Sequence, residues 1–261
     1  MARLPRLPDV LTTANLACGT GSILLASQGQ LTLACWLVFA GAVFDVFDGL
    51  AARAFGGGSP LGAQLDSLAD MVTFGVAPAV ILWCGHLSHT WRKYLLFVDQ
   101  DGPATELAPD PIYAIATVIL VIASCWRLAK FNVDTRQSSG FLGLATPANG
   151  LFWVSSVLAA SGEALHGGPG SDFLLGADRN LLGSPEALFA AAVGMAVLML
   201  SELPLPSLKF KHFRWPGNQV IYLLGGIGAL LVAFYGILGV PLILVLYILS
   251  PLWGRVFPKE L

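Results

Sequence analysis

Charged side chains are scarce in this sequence, since they make up only 11% of its 261 residues, whereas soluble domains have about 25%. Hydrophobic residues account for 56%, so the composition excludes an ordinary soluble domain and indicates a protein that folds in a lipid bilayer. The formal net charge of -2 and the lack of a basic run interleaved with aromatic residues argue against a nucleic-acid partner. The four cysteines are isolated, without CxxC or Cys/His spacing, which argues against a zinc site and favours a packing role.

Long apolar runs, by contrast, fill the chain. A bilayer core of about 30 Å requires about 20 apolar residues per helical crossing. Eight such stretches are predicted, at residues 10–27, 31–55, 66–85, 111–129, 147–165, 185–203, 220–236 and 240–253. The expected fold is therefore an all-α polytopic transmembrane helical bundle of about eight spans, in a single domain over residues 1–261. Only three residues separate the last two stretches, so a helical hairpin is the alternative there.

The positive charges are distributed unevenly between the two sides of this predicted bundle. Of the fourteen Lys and Arg residues, eleven fall on one side and only Arg92, Lys93 and Arg179 on the other. Because cytoplasmic loops are enriched in Lys and Arg, we expect both termini to face the cytoplasm in a protein integral to the cell membrane. Two long connections on the sparse side, residues 86–110 and 166–184, are expected to be solvated and to have little regular structure.

Four aspartates interrupt the apolar sequence of the second and third stretches: Asp45, Asp48, Asp66 and Asp70. A charge at the centre of a membrane helix costs at least about 2.5 kcal/mol, so these acids need a partner. Spacings of three and four residues place each pair on one helix face, and residues 54–64 are expected to turn the chain so that the faces meet. Arg53 is the only cation between the first acid and the last, and one positive charge does not balance four negatives.

Hard oxygen ligands that converge from two helices suit magnesium or manganese, and two such ions about 4 Å apart can clamp a phosphoryl group. The acids have no His or Cys beside them, which argues against zinc. Gly49, Ala52 and Gly62 lie close to the acids in sequence, where a small side chain lets a ligand approach the backbone. The alternative is that these small residues only let membrane helices pack closely.

The acids and the small residues together resemble the signature of the CDP-alcohol phosphotransferase family. The match runs without a gap through residues 45–70, with eight fixed positions: Asp45, Asp48, Gly49, Ala52, Arg53, Gly62, Asp66 and Asp70. The resemblance implies a six-helix core, a cytoplasm-facing site with two divalent cations on the four aspartates, and a homodimer. It also implies that Asp70 is the general base and that Gly49, Ala52, Arg53 and Gly62 contact the CDP group.

Three further segments are similar to the phosphatidylserine synthase branch of that family: residues 11–19, residues 70–78 and residues 127–149. The helices of residues 185–255 resemble it less specifically. The branch implies CDP-diacylglycerol and L-serine as substrates, phosphatidyl transfer with release of CMP, and a place for Asn15 near the cytidine. An interhelical hydrogen bond is the alternative role for Asn15.

Basic and polar residues near the end of the fourth stretch are candidates for binding a lipid phosphate or the carboxylate of the acceptor. These residues are Arg127, Lys130, Asn132 and Arg136, of which the last two are expected in a loop. The alternative for Arg127 and Lys130 is a role as positively charged anchors that reach toward the headgroups.

Two other functions stay open at this point. The same reaction with glycerol 3-phosphate or an inositol derivative as acceptor would use the same acids. A cation or proton transporter would use them as a permeation site, but the acids cluster toward one face of the bundle and do not extend across it.

Overall fold

Over the residues that the structure describes, the protein is helical apart from one short strand pair, which confirms the predicted all-α fold class. A computed structural model describes residues 6–55, 59–87, 110–134, 141–161, 168–205 and 219–253. The helices are α1 (Leu7–Ser27), α2 (Leu31–Ala54), α3 (Pro60–Asp70), α4 (Ala77–Leu87), α5 (Pro111–Val133), α6 (Thr146–Ala160), α7 (Ser171–Gly183), α8 (Pro185–Leu200), α9 (Gln219–Tyr235) and α10 (Gly239–Trp253). A π-helical turn, Met71–Val76, joins α3 to α4, and a 3-10 turn, Gly236–Leu238, joins α9 to α10.

Three of these helices begin with the same local signal, a polar cap followed by proline. Ser59 accepts a hydrogen bond from Gly62 N at 2.9 Å, Asp110 accepts one from Ile112 N at 2.8 Å, and Ser184 caps α8 in the same way. The cap satisfies a backbone N–H that the helix leaves unpaired, and proline at the first position has none to satisfy. Because α3 begins at Pro60, the turn predicted over residues 54–64 is too long, and its second half is helical.

Within the described ranges, five helical stretches are long and apolar enough to cross a membrane. They are Leu7–Ser27, Leu31–Ala54, Pro60–Leu87, Pro111–Val133 and Tyr222–Ser250. The pair α7 and α8, bent by 92°, would make a sixth if it forms one broken span. The chain is thus an integral membrane protein, while the count of eight spans stays a prediction.

The last of these stretches folds back on itself. A Cβ atom added to Gly228 would lie 3.2 Å from Ile243 Cδ1, although fifteen residues of straight α-helix span about 22 Å. The reversal occurs at the 3-10 turn, where Gly236 has a positive φ of 60°, a conformation that glycine adopts without strain. Helices α9 and α10 therefore pack side by side as a helical hairpin.

Helix α7 lies where a solvated loop was expected, in residues 166–184. The loop was expected because the segment is rich in Gly and Asp, but the helix is amphipathic. Leu182 is 2% exposed, and Leu174 and Leu181 pack against the core. Tyr113 of α5 donates a hydrogen bond to the Leu182 carbonyl and ties the helix to the bundle. The other long connection was predicted over residues 86–110; α4 continues to Leu87 and Asp110 caps α5, while residues 88–109 lie outside the described residues.

Close helix contacts at small residues bring α1, α2, α6 and the π-helical turn together. A Cβ atom on Gly150 of α6 would lie 2.7 Å from Phe74 O, and one on Gly41 of α2 would lie 2.6 Å from Thr73 Cγ2. Such contacts let helix backbones approach where larger side chains would separate them. The segment that follows Asp70 is thus held from several sides.

One antiparallel strand pair, β1 (Phe141–Leu142) with β2 (Pro204–Leu205), connects the middle of the chain to its C-terminal part. Gly143 follows β1 with a φ of 75°, and a Cβ atom there would lie 2.6 Å from Ser201 O. Only glycine fits this approach. The connection that precedes α6 is therefore fixed against the end of α8.

Candidate active site

Three of the four predicted acids come together between α2 and α3. Asp45, Asp48 and Asp66 each offer a carboxylate oxygen, and these oxygens all lie within 4.8 Å of one another. Asp48 is 6% exposed, and the other two are half-buried. The two helix faces predicted from the spacings thus meet.

Asp70 lies beside this acidic triad rather than within it. It is one turn after Asp66, is 8% exposed, and remains within reach of the negative charge of the three other acids. Its Oδ1 accepts a hydrogen bond from Asn15 Nδ2 at 3.2 Å. Asp70 therefore has one oxygen engaged by α1 and another available for other contacts.

The triad has the properties of a cation site. Asp66 Oδ1 is buried and has no hydrogen-bond partner, and a buried acceptor without a partner is costly. Over the ranges that the structure describes, no Lys or Arg forms an ion pair with any of the four acids. Arg53 is exposed and lies along its own helix, with a guanidinium nitrogen 3.9 Å from the Cβ position of Gly49. Carboxylate oxygens without basic partners fit a hard divalent cation.

Helix α1 forms a third wall of the site. Thr12 Oγ1 donates a hydrogen bond to Asp48 Oδ2 at 2.6 Å, one turn before Asn15 donates to Asp70. Asn15 thus makes the interhelical hydrogen bond that was the alternative to a nucleotide contact. The site prediction omitted Thr12, although polar residues three apart on one face of an apolar helix were a signal that could have identified it.

Thr73 holds α1 in place from the π-helical turn. Its Oγ1 donates to Asn15 O at 3.0 Å, and the Cβ position of Gly19 lies 2.7 Å from Thr73 Cα. A π-helical turn widens the helix locally and is often found at functional sites. Here it places the threonine against α1 immediately after Asp70.

The small residues of the signature have different surroundings. The Cβ position of Gly49 has nothing nearer than the Arg53 guanidinium, whereas that of Gly62 lies 3.0 Å from Asp9 Oδ1 and 3.2 Å from Ser59 Oγ. Gly49 therefore leaves open space beside the acids. Gly62 allows the first turn of α1 to approach α3, which supports the packing alternative for that glycine.

The predicted acceptor residues differ in how deeply the structure buries them. Arg127 is 3% exposed, its Nε donates to Leu144 O at 3.1 Å, and its guanidinium lies 5.4 Å from the centroid of the Phe131 ring. Lys130 is partly exposed and donates to Leu200 O at 3.3 Å. Arg127 is thus buried inside the bundle and does not reach out as an anchor.

Asn132 is helical, and the prediction of a loop there is wrong, because α5 continues to Val133. Its amide contacts Ser67 Oγ, with distances of 3.0 Å from the nitrogen and 3.1 Å from the oxygen. This contact joins the end of α5 to α3, the helix that carries Asp66 and Asp70. Arg136 lies outside the described residues.

Sequence comparisons show which known proteins this chain resembles. A family model described as CDP-alcohol phosphatidyltransferase matches residues 6–162. The CDP-diacylglycerol–serine O-phosphatidyltransferase of Helicobacter pylori is 30% identical over 211 residues, which cover 80% of this chain and 74% of that protein. The protein with the same name from Bacillus subtilis is 28% identical over 208 residues, or 80% and 91% of the two chains. Archaetidylserine synthase of Methanothermobacter thermautotrophicus is 33% identical over 143 residues, or 54% and 53%.

Proposed function

The chain belongs to the CDP-alcohol phosphatidyltransferase family of enzymes, and on that premise we propose that it transfers the phosphatidyl group of CDP-diacylglycerol to the hydroxyl of L-serine, with release of CMP. The observation that carries the proposal is the acidic triad of Asp45, Asp48 and Asp66 with Asp70 beside it. The names of the relatives support serine as the acceptor.

The four aspartates would hold two divalent cations, magnesium or manganese. The unpaired buried oxygen of Asp66 and the lack of an ion pair at the described acids support this assignment. When bound, the cations offset the charge of the diphosphate and stabilise the departing CMP.

Asp70 is the candidate general base. A serine hydroxyl is a poor nucleophile, so a carboxylate within hydrogen-bond reach must accept its proton as the oxygen attacks the phosphorus that bears diacylglycerol. The bond from that phosphorus to the oxygen bridging toward CMP breaks as the new bond forms. Because Asn15 donates to Oδ1 of Asp70, Oδ2 is the oxygen left to accept the proton.

The nucleotide would bind along the signature face of α2 and the start of α3. Open space at Gly49, the neighbouring small side chain of Ala52 and the exposed guanidinium of Arg53 support a diphosphate there. Gly62 and Asn15 complete the proposed CDP set, although both make close contacts within the protein.

The acceptor would enter beside α5. The contact between Asn132 and Ser67 joins the end of α5 to α3, the helix that carries Asp66 and Asp70, which supports Asn132 as an acceptor residue. Arg127, Lys130 and Arg136 are the cations proposed to bind the serine carboxylate or a lipid phosphate. We further propose that the site and both termini face the cytoplasm and that the enzyme is a homodimer.

The test is CMP release by purified protein supplied with CDP-diacylglycerol, a divalent cation and a panel of acceptors. We expect release with L-serine, its loss on addition of a chelator, and its loss in Asp70→Asn. Asp172→Asn, at an exposed acid of α7, is the matched control and should retain activity. Release with glycerol 3-phosphate or an inositol derivative but not with serine would contradict the acceptor. Cation flux in proteoliposomes without any CMP formation would contradict the reaction itself.

A further inference from the structure

Thr12 makes the shortest link between α1 and the acidic triad. Its side chain is 3% exposed, and its Oγ1 lies 2.6 Å from Asp48 Oδ2 and 3.0 Å from Pro8 O in its own helix. A hydroxyl has a single hydrogen to donate. Donation to the carboxylate is favoured, because hydrogen bonds to ionised acceptors are shorter and about twice as strong as neutral ones.

We infer that Thr12 is a positioning residue, which fixes the carboxylate of Asp48 so that it can bind a divalent cation together with Asp45 and Asp66. The inference rests on the proposed function, in that the triad holds the cation. An aspartate carboxylate rotates over a broad range, and repulsion from two neighbouring acids would turn that of Asp48 away. A donor on the α1 side opposes that rotation.

The backbone of α1 is held firmly enough for this role. One turn after Thr12, Asn15 donates to Asp70 through its side chain and accepts from Thr73 Oγ1 at its carbonyl. Two hydrogen bonds therefore fix α1 against the acids and the π-helical turn near Thr12. Hydrogen-bond partners of metal ligands typically change metal affinity by about 10- to 100-fold when they are removed.

Thr13 provides a matched control at the next position. It is exposed, and its Oγ1 donates to Asp9 O at 2.7 Å within the same helix. Thr12 and Thr13 thus share residue type, helix and a backbone carbonyl within reach of the hydroxyl, and they differ in burial and in the contact to Asp48.

The experiment measures Mn²⁺ binding to the full-length protein in detergent, by the electron paramagnetic resonance of free Mn²⁺, without nucleotide or lipid substrate. Thr12→Val keeps the shape and removes the hydroxyl, and we expect it to weaken binding by about 10-fold or more. Thr12→Ser keeps the hydroxyl and should bind within about threefold of the parent protein. Thr13→Val should leave the affinity unchanged.

A second measurement compares the effect of Thr12→Val in the parent protein with its effect in Asp48→Asn, so that the conclusion does not depend on the stability of a single variant. If Thr12 acts through Asp48, Thr12→Val should weaken Mn²⁺ binding no further in the Asp48→Asn background. Parent-like affinity in Thr12→Val, an equal loss in Thr13→Val, additive losses in the double variant, or no Mn²⁺ binding by the parent would each overturn the inference. A different outcome separates the two proposals. If only Thr12→Val loses Mn²⁺ affinity, and the parent protein releases no CMP from CDP-diacylglycerol and serine, the inference is supported and the proposed function is overturned.

Discussion

Gly41→Ala tests the packing that holds α1 and α2 around the site. The added Cβ atom would lie 2.6 Å from Thr73 Cγ2 and 2.9 Å from Asn15 Oδ1, and such overpacking costs about 1–3 kcal/mol. One kcal/mol shifts the midpoint of thermal unfolding by about 2–4 °C in a chain near this size. We therefore expect the midpoint to fall by about 2–12 °C, with weaker Mn²⁺ binding because Asn15 is displaced.

Thr73→Ser tests whether the contact with Thr73 Cγ2 causes the loss in Gly41→Ala. This substitution removes Cγ2 and keeps the hydroxyl that donates to Asn15 O. Alone it should cost about 1 kcal/mol for one buried methyl group. In combination with Gly41→Ala it should add nothing, so the two changes couple by about 1 kcal/mol. In combination with Gly19→Ala it should be additive, because the Cβ of that variant would overlap Thr73 Oγ1 and lie 2.7 Å from Thr73 Cα, atoms that serine retains.

Thermal unfolding of the purified variants in detergent measures each of these differences. Gly194→Ala on α8 is the control, since nothing lies within 4 Å of its Cβ position, and helix propensity predicts a neutral or slightly stabilising change of up to about 1 kcal/mol. Equal midpoints for Gly41→Ala and Gly194→Ala would refute the close approach of α2 to Thr73. Additive losses in Gly41→Ala with Thr73→Ser would refute the contact with Cγ2.

Three further predictions concern the acids and the acceptor helix. Asp45→Asn should lower both Mn²⁺ affinity and CMP release, and an isothermal titration with unchanged affinity would contradict its place in the metal site. Asn132→Ala should raise the KM for serine more than that for CDP-diacylglycerol, whereas Asn180→Ala on the exposed face of α7 should change neither in the CMP-release assay. Arg127→Lys should destabilise the fold by about 1.5–3 kcal/mol, because it loses the charged hydrogen bond to the Leu144 carbonyl. Lys130→Ala should cost less in the same thermal assay, since its side chain is partly exposed.

The acidic site was accessible to sequence reasoning because each half of it is local. Asp45 and Asp48 share a face by helical periodicity alone, as do Asp66 and Asp70. The two pairs could converge if a short turn joined the two helices. Because only one basic residue lies between the first acid and the last, a metal cation was the expected partner of the four carboxylates. The long apolar helices were equally accessible, because hydrophobic length is a property of a segment and not of its neighbours.

Contacts between distant segments were not accessible in this way. The hydrogen bond of Thr12 to Asp48 joins residues 36 positions apart, and that of Asn132 to Ser67 joins residues 65 positions apart. No helical period relates them. Helix α7 was missed for another reason: its polar residues suggested a solvated loop, while Leu182 contributes to a core whose other side comes from elsewhere in the chain.

Close packing at Gly19 and Gly41, two glycines outside the signature, also determines how α1 lies against the acids. Neither glycine has room for a side chain, because α1 and α2 pack closely around Thr73 of the π-helical turn. This close packing places Thr12 and Asn15 within hydrogen-bond distance of Asp48 and Asp70. Larger residues there would separate α1 from the acids by more than a hydrogen bond spans. The acids would then lose the donors that oppose their mutual repulsion. Tight packing is therefore a condition for the proposed metal site.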